Sequence, residues 1–319
     1  MIIKERSFPL EIECLEALLK RIDIRHVKRK EITDQLAKYV SGYKGEQSLD
    51  YYLALLPEDY LIIHHLRLKF KEYYFQIDTL ILTPFFFIIA EVKNLSGKLH
   101  FDHIHHQLIR TANQNEEIFQ DPLLQAKRQR HQLVEWLKQY NIKKQIPIEP
   151  IVVITHQSAH IHADPSVAKN IIKNTYLIEK VKDLQSTFKE PIFTKKELQH
   201  IAKLLVKHHS PKELNLLESY HLLESELLTG VHCPQCNKIP MEHHRGNWTC
   251  LHCGYQSKEA HLGTIRELLL LTNQKTLTNQ QLRKMLNLTS ASISRNYLKS
   301  MSLTSGGSTR NRVYFYELT

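Results

Sequence analysis

The chain has 319 residues and a mass of 37.5 kDa, so two or three domains are expected, and 42% hydrophobic content supplies ample material for a core. A formal charge of +10, a pI of about 9.2 and 20 histidines favour a polyanionic partner, nucleic acid ahead of a membrane. Lys4, Glu5, Arg6, Glu11 and Glu13 exclude a signal-peptide core, and the longest apolar run, 80–90, is interrupted by Pro84 and too short to span a bilayer. A soluble, cytoplasmic protein with no membrane partner is the expectation.

Residues 1–40 read as an amphipathic helical flank, with Leu10, Ile12, Leu15, Leu18 and Leu19 as its apolar stripe. The basic stretch Arg25, His26, Lys28, Arg29 and Lys30 is either a solvated face or a phosphate-contacting flank. A compact α/β domain is expected over 41–157. Its Ser-Gly-Tyr-Lys-Gly-Glu opening, 41–46, starts a helix to about 56, with Glu46 in the first turn, where the macrodipole favours an anion. Strands are expected at 60–64, at 75–83 and 86–94 about a Pro84-Phe85 turn, and at 148–155 and 175–178. The helix expected at 122–140 has Asp121 as its N-cap and Pro122 in first position. Residues 158–229 read as a mainly helical connector, 230–257 as a zinc ribbon, and 260–319 as an α+β winged helix-turn-helix. In that last segment helices are expected at 263–271, 278–286 and 290–301, followed by a polar loop at 305–311 and a strand at 312–318.

Three charges, Asp78, Glu91 and Lys93, interrupt strands otherwise made of Ile, Leu, Phe and Val. Glu91 and Lys93 are two apart and so leave the same face of a strand. Burying them is costly unless they meet a partner, a metal or each other. Phosphodiester cleavage uses a divalent ion held by one or two carboxylates. Asp78 and Glu91, on neighbouring strands, can converge on one Mg²⁺ (or Mn²⁺), with the carbonyl of Val92 as a further ligand. Lys93 suits orientation of the attacking water or stabilisation of developing charge, and Glu46 suits metal binding or water positioning. The alternative is a structural ion pair between Asp78 and Lys93 across a hairpin.

Gly42-Tyr-Lys-Gly45-Glu46, Gln76-Ile-Asp78, Glu91-Val-Lys93 with Gly97 four residues on, and Gln120-Asp-Pro122-Leu-Leu-Gln125 follow one another in an order that resembles the NERD (nuclease-related) domain. That family is placed within the PD-(D/E)xK restriction-endonuclease-like superfamily, and the resemblance covers about 41–157. It implies an α/β fold with a mixed sheet flanked by helices, and a metal site at Asp78, Glu91 and Lys93. It also implies that Glu46 is the acidic residue of the first helix, and that Gln125 is a polar residue on a later helix facing the site. Gln120-Asp121 stands where the family more usually has Asn before the proline.

Cys233-Pro-Gln-Cys236 and Cys250-Leu-His-Cys253 are two knuckles that supply four thiolates for a structural Zn²⁺. The alternative is a redox dithiol pair, which the duplicated knuckle disfavours. His232, His243, His244 and His252 are expected on the surface of this site. The third helix of the C-terminal segment would offer Ser290, Ser292, Ser294, Arg295, Asn296 and Lys299 to a major groove, with Arg310 and Arg312 reaching phosphate from the wing; the same fold also serves protein contact. His103, His105 and His106 read as solvent-facing, with a second metal site as the alternative.

Together these features point to a metal-dependent DNA nuclease, RNA left open, targeted by ribbon and winged helix. The rivals are a catalytically inactive DNA-binding or regulatory protein with a nuclease-like scaffold, and a protein-interaction scaffold. Oligomeric state is left open.

Overall fold

In a computed structural model, which describes residues 1–308 and 312–315, the chain divides into two units. Met1–Phe8 joins Val40–Lys212 in the first, and Pro9–Tyr39 joins Glu213–Thr319 in the second. The chain opens with β1 (Ile2–Lys4), α1 (Leu10–Arg21), α2 (Arg29–Gln47) and α3 (Asp50–Ala54). Two three-strand meanders follow, β2 (Leu61–Phe70), β3 (Tyr73–Leu82) and β4 (Phe87–Lys93), then β5 (Gly97–Asp102), β6 (Gln107–Ala112) and β7 (Asn115–Gln120). Next come α4 (Pro122–Gln139), β8 (Ile148–Ile154), β9 (Ala159–Ala163), the short α5 (Pro165–Ala168), β10 (Ile171–Lys173), α6 (Leu177–Thr187) and α7 (Lys195–Lys207).

The main sheet of the first unit is 6-stranded and mixed, in the order β1-β2-β3-β4-β8-β10. β2, β3 and β4 run antiparallel, while β1 on β2, β8 on β4 and β10 on β8 are parallel. Its central strands read as continuous apolar runs because both faces are covered by helices. On one face Phe87 and Ile89 pack with Leu133 and Trp136 of α4 and Ile201 and Leu205 of α7. On the other, Ile81, Ile88 and Val153 pack with Leu53 of α3 and Leu177 and Val181 of α6. A 4-stranded sheet, β7-β6-β5-β9, lies beside it in the chain.

Several elements differ from the sequence expectations. The helix expected from 41 to about 56 begins earlier as α2 and stops at Gln47, and α3 completes the segment. Residues 175–178 are helical rather than extended: a single turn at Asn174–Tyr176 leads into α6, and the strand lies just before it, at β10. β5, β6, β7 and β9 carry little signal in the sequence because only alternate residues such as Leu99, Phe101 and Leu108 are buried, which dilutes the apolar pattern. His103, His105 and His106 form the turn between β5 and β6, with His105 and His106 exposed. Among the described residues no helix is long and apolar enough to cross a membrane.

The second unit continues with the single turn of α8 (Leu216–Ser219), then β11 (Glu242–His244), β12 (Asn247–Thr249) and β13 (Gln256–Ser257), a 3-stranded antiparallel sheet. α9 (Ala260–Thr272), β14 (Thr276–Thr278), α10 (Asn279–Leu286), α11 (Ala291–Ser300), β15 (Thr304–Gly306) and β16 (Val313–Phe315) complete it, with strand order β14-β16-β15. α10 ends at Asn287 in the left-handed region, and Ser290 caps α11, so a three-residue turn joins the two helices. α1 belongs here: its buried face, Ile12, Leu15, Leu18 and Arg21, recurs at three-residue spacing. Arg21 is wholly buried, and its guanidinium donates to Glu267, Thr264 and the carbonyls of Leu228 and Gly230, a network that satisfies the charge in place of water.

Candidate active site

The site forms where the β2-β3-β4 ladder stops being regular. β3 and β4 pair from Leu82–Phe87 to Thr79–Ala90, and Asp78 and Glu91 stand one step beyond. There Asp78 Oδ2 accepts the N–H of Val92 at 3.0 Å, so a carboxylate replaces the backbone carbonyl that the ladder would have supplied. Glu91 is 2% exposed, and Lys93 Nζ donates to its Oε1 at 2.7 Å, as the shared face of residues two apart allows. The ion pair that forms is therefore Glu91–Lys93, not Asp78–Lys93.

Glu46 comes from the last turn of α2. Its approach is set by Gly45, where an added Cβ would lie 2.5 Å from Asn94 Cβ and 2.9 Å from Thr155 Oγ1. Asn94, just past β4, donates from Nδ2 to the carbonyl of Ser41 at 2.8 Å and ties the helix to the strand end. Glu46 Oε2 receives Arg6 Nη1 at 2.7 Å and also Nε2 of His65, while Arg6 Nη2 donates to Asp50 Oδ1 at 2.9 Å.

Electrostatics record the crowding of carboxylates. Burial first, then the charges of Glu91 and Glu46, push the Asp78 carboxyl well above its usual range, against the pull of Lys93 and the Val92 N–H. Desolvation works against the Lys93 ammonium, but Glu91 and Asp78 outweigh it and hold its pKa above the ordinary value.

Sequence reasoning missed three neighbours. Gln129 Nε2 donates to Glu91 Oε2 at 3.0 Å and to the carbonyl of Gln76 at 2.8 Å. Gln125, the glutamine expected to face the site, lies one helical turn earlier and half-buried, and its side chain makes no hydrogen bond to the cluster among the described residues. Gln129 was discoverable as the one polar member of the buried stripe Leu123, Ala126, Gln129 and Leu133. Arg6 and His65 are the other two.

The four cysteines also converge. Sγ of Cys233, Cys236, Cys250 and Cys253 all lie within 4.8 Å of one another, with Cys233–Cys253 and Cys236–Cys250 at 3.6 Å. Tetrahedral thiolates around one zinc ion would be about 3.8 Å apart, so the set fits such an ion. His232 is buried rather than surface-facing, because Nδ1 meets Glu267 Oε2 at 3.2 Å beside Arg21; His244 and His252 are exposed and His243 half-buried.

On α11, Ser292, Arg295, Asn296 and Lys299 are exposed and recur at three- and four-residue spacing. Ser290 spends its hydroxyl as the N-cap, accepting from Ile293 N and meeting Ser292 Oγ. Ser294 is buried, bonded to the carbonyl of Asn279. Arg312 is exposed, and Arg310 lies outside the described residues.

Comparison with curated proteins and with solved structures finds no match. Among protein-family models, residues 41–155, a segment that holds Glu46, Asp78, Glu91 and Lys93, match NERD, the nuclease-related domain, which supports a nuclease-related function.

Proposed function

We propose that the first unit is a metal-dependent nuclease acting on DNA, directed to its substrate by the second unit. The observation that carries this reading is the convergence of three carboxylates, Asp78, Glu91 and Glu46, with Lys93 at the splayed end of β3 and β4. The donor set is made of oxygens, as a hard divalent cation requires, and the buried Oε1 of Gln129 has no hydrogen-bond partner among the described residues, so it can accept from a water. Asp78, Glu91 and the carbonyl of Val92 would hold Mg²⁺ or Mn²⁺, with Glu46 behind them. When bound, the ion polarises the phosphate and lowers the pKa of water.

The chain's own residues supply the rest. Lys93, fixed by Glu91, presents a cation to the charge that develops on the phosphate oxygens as water attacks. Gln129 fixes the Glu91 carboxylate, and Gln125, one turn away on the same helix, faces the substrate side. Asp78 is anchored through Oδ2, which leaves Oδ1 for the ion.

In the second unit, Cys233, Cys236, Cys250 and Cys253 hold a structural Zn²⁺, with no position left for catalysis. Residues 260–319 act as a winged helix-turn-helix. Ser290 at the N-cap of α11, and Ser292, Arg295, Asn296 and Lys299 along it, meet the groove, and Arg310 and Arg312 meet phosphate, so affinity falls with rising salt. The test is cleavage of a panel of duplex, branched and single-stranded DNA and of RNA, with and without Mg²⁺ or Mn²⁺. Wild type cuts at least one substrate and Glu91→Ala cuts none. Intact nucleic acid throughout, with metal affinity unchanged by Asp78→Ala and Glu91→Ala, would refute the catalytic reading.

A further inference from the structure

His65 sits at an irregularity that regular strand pairing does not call for. Between the pairs His64–Thr79 and Leu66–Ile77 it lies across from Asp78, and its backbone takes φ of +48° in the middle of β2. At the same point the side-chain alternation slips by one residue. Leu61 and Ile63, then Leu66 and Leu68, enter a single core on β2, as do Leu82 and Leu80, then Ile77 and Phe75, on β3. A non-glycine residue in the left-handed region persists only where its surroundings hold it there. Here the twist carries the imidazole to Glu46 Oε2, the oxygen that Arg6 Nη1 also holds at 2.7 Å. Arg6 is itself fixed by Asp50 and its side chain is only 5% exposed. Glu46 Oε1 takes no hydrogen bond among the described residues.

We infer that His65 and Arg6 are positioning residues that clamp one oxygen of Glu46 and leave the other directed at the metal site of Asp78 and Glu91. This rests on the nuclease reading above. It assigns work to a residue, Arg6, outside the segment matched by the family. Without the clamp Glu46 gains rotamers that turn it away, so ion binding weakens although no ligand has been removed.

The test is Mn²⁺ titration calorimetry on the full chain, with thermal melting as a check on folding. His65→Gly accepts the positive φ, so the backbone is spared while the side chain is lost. Its Mn²⁺ affinity is expected to fall by roughly tenfold to a hundredfold with its melting temperature held. His65→Gln, whose amide can still donate to Glu46, recovers most of the loss, and Arg6→Ala behaves like His65→Gly. Equal Mn²⁺ affinity in wild type and His65→Gly overturns the clamp alone. Wild type that binds no Mn²⁺ overturns the metal-site reading and the clamp together.

Discussion

Gln129 holds Glu91 from the opposite side to Lys93: the amide occupies Oε2 at 3.0 Å while the ammonium occupies Oε1 at 2.7 Å. A buried carboxylate is thus kept in one rotamer by two donors on two different elements. Replacing Gln129 with Leu keeps the volume and removes the donor, leaving Glu91 Oε2 and the Gln76 carbonyl without their partner. The expected cost is about 1–3 kcal/mol of stability, more than an ordinary hydrogen bond contributes, because a buried charged acceptor is left unpaired. Urea denaturation of wild type and Gln129→Leu measures it; an unchanged midpoint would mean that Glu91 does not depend on the amide.

Two glycines three residues apart on α2 should respond in opposite directions. At Gly42 an added Cβ meets nothing within 4 Å, so Gly42→Ala is expected to stabilise by about 0.5–1 kcal/mol through helix propensity. At Gly45 the same methyl would press on Asn94 Cβ at 2.5 Å, and Asn94 is anchored to Ser41, so it cannot simply swing away. Gly45→Ala is expected to destabilise by about 1–3 kcal/mol and to displace Glu46 from the site. Denaturation midpoints of the two variants, measured side by side, decide it.

How much of this was legible in the sequence depends on how far apart the partners are. Asp78, Glu91 and Lys93 stood out because charge in an apolar strand is conspicuous, and their relative placement followed from strand period alone. The clustering of the four thiols was legible in the spacing of the two knuckles. His65 left a trace as well, the apolar alternation of 61 and 63 changing phase to 66 and 68, but a slip of one residue is easily read as noise. Arg6 left none. It reaches Glu46 across 40 residues from a segment that reads as the start of a helix, and only the pairing of β1 with β2 brings it there. Arg21 and Glu267, 246 residues apart, were likewise invisible, each an ordinary charge on an amphipathic helix until the other is known.

Acid should weaken the first unit once the pH falls below the range in which an unfolded histidine titrates. His64 is 1% exposed and its imidazole pKa is pushed down to about 3, by burial first and then by the charges of Arg6, His65 and Lys4. In the unfolded chain a histidine titrates near 6.5. Between these two values the unfolded state binds the extra proton, so the stability present above about pH 6.5 is lost as the pH falls toward about 3. The slope reaches at most about 1.4 kcal/mol per pH unit. The chain has 2 tryptophans, Trp136 in the first unit and Trp248 in the second, so a Trp248→Phe background reports on the first unit alone. In that background His64→Gln should flatten the fall in urea midpoint between about pH 6.5 and about pH 4. A slope identical to that of the parent would assign the acid sensitivity elsewhere.

The converse background, Trp136→Phe, isolates Trp248 and tests what the four cysteines do for α11. Trp248 lies on β12, two residues before Cys250, and is 1% exposed. Its ring stacks at 6.2 Å on Tyr297 of α11, which also meets His261 of α9 at 4.0 Å and His243 of β11 at 5.9 Å. The ribbon strand and the helix proposed to meet DNA therefore share one aromatic cluster, and Trp248, Cys233, Cys250 and Leu298 belong to the same core. A ribbon this short has too little core of its own to stay folded without a metal, so the free energy of ion binding becomes folding energy for its surroundings. Chelation should shift Trp248 emission to longer wavelength, lower the melting temperature of the second unit, and weaken DNA binding. Zinc should restore all three, and Cys250→Ser should reproduce the chelated state without chelator. Emission and melting that ignore both treatments would show that Trp248 and Tyr297 hold each other without the thiolate site.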